Sequence, residues 1–182
     1  MNVDLFDFEL PESLIAQYPL AQRTDSRLLH LHRHTGQIEH RQFAEIADIL
    51  TPKDLLVFND TRVIPARLFG EKETGGKVEV LIERVTGGSR GIAQIKASKP
   101  PKPDSEIHLE QGLSLRVIDK VDDMYLVDAV GDISLAMIME AVGHMPLPPY
   151  VSREDESLDR ERYQTVYACL LYTSPSPRDG LL

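Results

Sequence analysis

Asn59, Asp60, Thr61 and Arg62 follow one another without a break, placing an amide, a carboxylate, a hydroxyl and a guanidinium within one turn of chain. Such a set can exchange a proton and orient a polar ligand. It stands at the end of Leu55, Leu56, Val57 and Phe58, an apolar run that is too short for a helix and reads as an interior strand. Polar groups at a strand end are where α/β sheets bind ligands. The same four residues also suit an ordinary turn in which Arg62 pairs Asp60, so spacing alone leaves both readings open. Pro65 lacks a backbone donor, so the chain through Ala66, Arg67 and Leu68 cannot continue as a central strand and a new element begins there.

A second polar region lies near the end. His144 to Tyr150, HMPLPPY, is a proline-rich stretch directly after an apolar helical pattern over residues 134–142, with Gly143 in the C-cap position. Tyr150, Tyr163 and Tyr167 can stack on bases, and Arg153, Arg160 and Arg162 can pair phosphate or carboxylate. A capping loop with a charged face would use the same residues. His30, His32 and His34 alternate along one strand and so share a face. Zinc sites add a cysteine or carboxylate at a specific spacing, and neither appears beside these histidines, so no metal is expected.

These groups need elements to hold them. Residues 4–10 alternate well enough for a first strand, and Pro11, Glu12 and Ser13 open a short helix. Residues 27–34 and 37–43 read as a hairpin around Thr35-Gly36. Phe43, Ile46, Ala47 and Leu50 then fall at helical spacing, with Thr51-Pro52 as the stop. Beyond Pro65, six short runs at 66–71, 77–85, 91–97, 106–109, 113–117 and 124–130 are separated by glycine- and proline-rich turns, which predicts a small antiparallel barrel. Gly75-Gly76 and Gly87-Gly88 lack the helix and lysine of a phosphate loop and read as hairpin turns. Lys96, Lys99 and Lys102 form a modest basic loop, either solvated or touching nucleic-acid phosphate.

The 182 residues suffice for one sizeable core with a smaller inserted domain. With 42% hydrophobic and 27% charged residues, the composition is that of an ordinary soluble protein. A net charge of −9 argues against a nonspecific nucleic-acid binder, although a local basic patch remains compatible. No apolar run approaches bilayer length. The acidic opening MNVDLFDFELPE differs from a basic signal peptide, so a cytoplasmic location is expected. Residues 169–182, CLLYTSPSPRDGLL, lack periodicity and contain the sole cysteine. They resemble translated sequencing-adaptor read-through, which implies a truncated gene and excludes them from fold reasoning.

Four blocks carry a resemblance over residues 1–168: FDFELPESLIAQYPLAQRTDSRLL, VFNDTRVIPARLFG, GHMPLPPYVSREDE and DRERYQTVYA. In this order they resemble the S-adenosylmethionine:tRNA ribosyltransferase-isomerases of queuosine biosynthesis. The resemblance implies an α/β catalytic domain over residues 1–65 and 134–168, interrupted by an inserted antiparallel β-barrel at 66–133. It implies transfer and isomerisation of the ribosyl moiety of S-adenosylmethionine onto 7-aminomethyl-7-deazaguanine at the wobble position of tRNA. Epoxyqueuosine forms, and adenine and methionine leave. S-adenosylmethionine is then a substrate, no bound cofactor is expected, and the partner is tRNA, with the protein a monomer. Asp60 and His144 lie inside the blocks and have the acid-base range the chemistry needs. Asn59, Thr61, Arg62, Arg67, Tyr150, Arg153, Arg162, Tyr163 and Gln164 become candidates for substrate binding, with Arg62 and Arg67 suited to tRNA phosphate or methionine carboxylate. The alternative is a non-catalytic tRNA-binding fragment.

Overall fold

The structure is a computed structural model that describes residues 2–169. The chain divides into two compact units, the first formed by residues up to Phe58 together with Pro149–Arg153, the second by Asn59–Pro148 and the chain from Glu154 onward. The proposed adaptor segment lies outside the described residues except for Cys169.

In the first unit, β1 (Arg27–Leu31) and β2 (Ile38–Gln42) form an antiparallel hairpin with Leu31 opposite Ile38 and His30 opposite Glu39. Thr35-Gly36 makes the turn as expected, with Gly36 at a φ of 71°, a conformation that glycine adopts without Cβ strain. The helix expected after the hairpin is short. A 3-10 turn over Phe43–Glu45 leads into α1 (Ile46–Ile49), and Glu45 Oε2 accepts from the Gln42 backbone N–H at 2.7 Å. Two other expectations are corrected. Residues 4–10 are not a strand: Val3–Phe6 is a 3-10 turn begun by the Asn2 side chain, which accepts from the Asp4 N–H. Residues 55–58 are not a strand either, and Leu55 and Val57 are 88% and 87% exposed. An apolar run becomes an interior strand only when neighbours satisfy its backbone groups, and no described strand pairs with this one. The described residues of this unit thus form a two-stranded sheet with short helical turns, and no α/β sheet.

The second unit is built around a closed barrel. Its strands are β3 (Arg67–Lys72), β4 (Lys77–Gly87), β5 (Arg90–Ala97), β6 (Glu106–Leu109), β7 (Ser114–Val121) and β8 (Met124–Ala129), all within a residue or a few of the six expected runs. The order is β3-β4-β5-β8-β7-β6, and β6 closes on β3 by antiparallel pairing. Alternation along each strand sends Leu68, Val78, Val80, Ile82, Ile107, Leu115, Val117 and Val127 into one core. At the closing seam Gly70 has the His108 carbonyl only 2.6 Å from where a Cβ would stand, so a side chain there would part β3 from β6.

Packed on this core is α2 (Leu135–Val142), begun by Ser134 Oγ accepting from Met137 N–H at 3.2 Å. Leu135, Ile138, Met139 and Val142 recur at helical spacing and join the same buried cluster as the barrel strands. That burial is why the helix belongs with the barrel. Gly143 ends α2 as expected, with its N–H donating to Met139 O at 2.9 Å. The reason for a glycine is different from a left-handed cap, because φ is −83°. A Cβ at this position would collide with the carbonyl oxygens of Pro65 and Met139. No helix among the described residues is long and apolar enough to cross a membrane.

Two outcomes test this packing. Gly143→Ala should destabilise the second unit by about 1–3 kcal/mol or more through overpacking, whereas Gly87→Ala, with open space around it, should stay within about 0.5 kcal/mol of the parent in urea unfolding. The second outcome concerns Asp128, whose carboxyl Ser89 and the Arg90 guanidinium hold below its usual range, with Arg90 Nε 3.0 Å from Oδ2. A carboxyl lowered in the folded state stabilises above its unfolded value and loses that contribution as pH falls through the folded one. The stability gap between parent and Asp128→Asn should therefore be widest near neutrality and close below about pH 3.9.

Candidate functional site

Leaving α2, the chain passes Gly143 and pairs with the start of β3: His144 N–H donates to Arg67 O at 2.8 Å, and Arg67 N–H donates to His144 O at 3.2 Å. This single antiparallel bridge fixes the backbone at His144. The side chains of the two residues are held by separate partners. Arg67 donates from an Nη to Leu147 O at 2.9 Å and lies 3.1 Å from Glu79 Oε1 through Nε. The His144 ring meets Phe69 edge-on, with centroids 4.9 Å apart.

The partner that matters chemically is Asp155. Its Oδ1 lies 2.7 Å from His144 Nδ1, and its Oδ2 accepts from the Met145 N–H at 2.9 Å. Both carboxylate oxygens are thus engaged, and the carboxylate cannot turn away without leaving the Met145 N–H, whose residue is buried, unpaired. A neutral imidazole bonded this way carries its proton on Nδ1 and presents the lone pair of Nε2. His144 is half-exposed. Phe69 also lines a cleft of about 530 Å³ together with Gly70, Glu71, Lys77, Val78, His108, Leu109 and Glu110. The arrangement is a positioned acid-base group beside an open surface.

The other expected residues divide among several environments. The Asn59-Asp60-Thr61 turn forms as the polar sequence suggests, with Asn59 Oδ1 accepting from the Thr61 N–H at 2.9 Å. Asp60 and Arg62 are exposed, and among the described residues no ion pair joins them, so Arg62 is not the structural glue of Asp60. The Asp60 backbone carbonyl accepts from Cys169 N–H at 2.8 Å, and no hydrogen bond joins Asp60 to His144 among the described residues. Gln164 is turned toward its own chain. Its amide donates to Val63 O at 2.8 Å and accepts from Val63 N–H at 2.9 Å, which satisfies that backbone as a neighbouring strand would. Arg162 lies in α3 (Asp159–Arg162) and Tyr163 caps it. Arg160, in the same helix, donates to Gly143 O at 2.9 Å and so braces the residue before His144.

Tyr150 and Arg153 belong to the first unit. Gln17 binds this short segment: its amide donates to Tyr150 O at 3.1 Å and accepts from Ser152 N–H at 2.7 Å, while Arg153 Nε donates to Gln17 O at 2.7 Å. The Arg153 guanidinium lies over the Tyr18 ring at 4.3 Å, a cation–π contact. The Tyr150 ring is exposed. In the hairpin, His30 and His32 share a face as expected, while His34 sits in the turn. Arg41 and His32 both hold the carboxyl of Glu39 below its usual range, Arg41 the more strongly.

Asp155 was absent from the sequence-derived candidates. Its acidic neighbours Glu154 and Glu156 make one carboxylate hard to single out, and nothing in an eleven-residue separation signals a side-chain contact. A carboxylate shortly after a histidine in a proline-bounded loop is the available clue, because such loops return on themselves.

A family profile described as queuosine biosynthesis protein matches residues 3–181. Over 181 residues the chain is 54% identical to the S-adenosylmethionine:tRNA ribosyltransferase-isomerase of Legionella pneumophila strain Corby, covering 100% of this chain and 53% of that relative. The relative of the same description in strain Paris matches to the same extent. The chain therefore spans about half the length of the curated relatives it matches. A crystal structure of an S-adenosylmethionine tRNA ribosyltransferase from Thermotoga maritima is 34% identical, with a TM-score of 0.39, covering 76% of this chain and 48% of that one.

Asp155→Ala should cost about 1–3 kcal/mol by orphaning the Met145 N–H and should release the His144 ring. Histidine ring nitrogen shifts read the second effect: the Nδ1-protonated form should dominate in the parent and lose that dominance in the variant. An unchanged His144 tautomer would separate it from Asp155.

Proposed function

The chain belongs to the queuosine biosynthesis protein family, and on that premise we propose that it carries part of an enzyme that moves the ribosyl moiety of S-adenosylmethionine onto 7-aminomethyl-7-deazaguanine in tRNA. Epoxyqueuosine is the product, with adenine and methionine released. The supporting observation is the fixed His144–Asp155 pair, 2.7 Å apart, with Nε2 left to handle a proton. The sulfonium of S-adenosylmethionine acidifies the C–H of the adjacent ribose carbon, so the reaction calls for a base there and a proton donor for departing adenine. His144 and the exposed Asp60 carboxylate divide these two tasks in our reading.

Anion recognition is divided by engagement. Arg67 is committed to Glu79 and to Leu147 O, so it positions the His144 backbone. Arg62, exposed and adjacent to Asp60, is better suited to tRNA phosphate or the methionine carboxylate. Asn59 and Thr61 shape that turn, and Gln164 acts by holding Val63. Tyr150 and Tyr163 offer rings for base stacking, and Arg153 and Arg162 offer charge to the tRNA backbone. S-adenosylmethionine is a substrate in this scheme, the protein acts in the cytoplasm as a monomer, and the barrel is an insertion in its catalytic domain.

A second reading is a non-catalytic tRNA-binding fragment. Adenine release from S-adenosylmethionine in the presence of tRNA carrying 7-aminomethyl-7-deazaguanine separates the two. In a protein of full family length, Asp60→Asn and His144→Ala should each reduce release by about 10²–10⁴-fold, the usual contribution of a positioned acid or base. Near-normal release in either variant removes that residue from the chemistry. Salt-sensitive tRNA binding by the present chain without adenine release supports the second reading.

A further inference from the structure

We propose that His30, His32 and Glu39 form a binding site for a divalent transition metal of the zinc type on the β1–β2 hairpin. Along β1 and the turn after it no carboxylate stands beside the histidines. The hairpin register supplies it from the other strand, with Glu39 directly opposite His30. One ligand atom from each of the three residues lies within 4.8 Å of the other two. Ligands about 2 Å from one zinc ion at tetrahedral angles stand about 3.3 Å apart, so modest side-chain rotation closes the cluster on a cation.

The individual groups agree with that use. His32 Nε2 is 3.0 Å from Glu39 Oε1, and His30 Nδ1 is 3.8 Å from Glu39 Oε2. The latter nitrogen is shielded from solvent and has no hydrogen-bond partner, an unusual state for a polar atom. The imidazole rings are 4.1 Å apart at 38°, where two imidazolium charges would repel each other and two neutral rings can share a cation. Arg41 donates from Nε and Nη to Glu39 Oε2 at 2.9 and 2.7 Å. That bond orients the carboxylate, as outer partners of metal ligands do, while Oε1 faces His32. Three protein ligands leave a coordination position for solvent or a ligand. The pairing of imidazole with carboxylate suits zinc better than magnesium or calcium. A bound ion would also tie together strands that, among the described residues, pair only with each other.

The test is zinc titration of the whole untagged chain, read by equilibrium dialysis and by histidine ring NMR signals. Stoichiometric zinc that shifts the His30 and His32 resonances while leaving His108 and His144 in place is the expected result. His30→Asn, His32→Asn and Glu39→Gln should each weaken binding by at least about tenfold, and the paired variant His34→Asn/His40→Asn should bind as the parent does. Zinc should raise the unfolding temperature of the parent and leave that of Glu39→Gln unchanged. No stoichiometric zinc overturns the site. Equal loss in the His34→Asn/His40→Asn variant also overturns it, because the binding would then come from scattered surface histidines. Circular dichroism distinguishes a ligand variant that has unfolded, and for such a variant the zinc-induced NMR shifts of the parent decide.

Discussion

The second unit depends on the close approach of two backbones at Gly143 and Pro65. Because residue 143 has no side chain, the chain leaving α2 can lie against the chain entering β3, and the paired hydrogen bonds between His144 and Arg67 follow. Everything chemical at this end of the barrel hangs on that bridge. Arg67 reaches Leu147 O and Glu79 from it, and the His144 ring meets Phe69 and Asp155. The barrel provides the fixed side of the contact, since β3 is paired on one edge with β4 and on the other with β6. A closed sheet has no free edge along which β3 could slip.

How legible this was from sequence follows from how local each signal is. The six barrel strands were readable because period-two alternation and glycine turns act within a few residues. Position 143 was readable as a glycine stop for α2, but its purpose was not, because the atoms that forbid a Cβ include the carbonyl of Pro65, far away in the chain. The run at 55–58 fails for the opposite reason. Apolar residues without alternation state only that burial is favourable, while strand geometry requires hydrogen-bonding neighbours. Residues 4–10 show the same weakness, because the Asn2 side chain offers the backbone a local turn instead.

Polar residues behave similarly. His144 stood out by type and position, whereas Asp155 became visible only when its loop closed. Gln164 illustrates a limit of reading function from polar identity: an amide can serve a substrate or a backbone equally well, and here both its donor and its acceptor meet Val63. Arg62 and Arg67 are alike in sequence, yet the structure separates an exposed guanidinium from one committed to protein partners. Commitment of donors, rather than residue type, decides which arginine can answer an incoming anion.

The two histidine–carboxylate arrangements in this protein show how one chemistry is directed to different ends. In each, the carboxylate is immobilised by a second partner: Asp155 by the Met145 N–H, Glu39 by the Arg41 guanidinium. Around Asp155 there is one imidazole, joined through Nδ1, so the remaining nitrogen is a directed acid-base group. Around Glu39 there are two imidazoles at 4.1 Å, one of them with an unpartnered Nδ1. A single proton shared with the carboxylate satisfies the first arrangement. It leaves a lone nitrogen unsatisfied in the second, and a cation with directional preference for nitrogen and oxygen ligands meets all three groups at once.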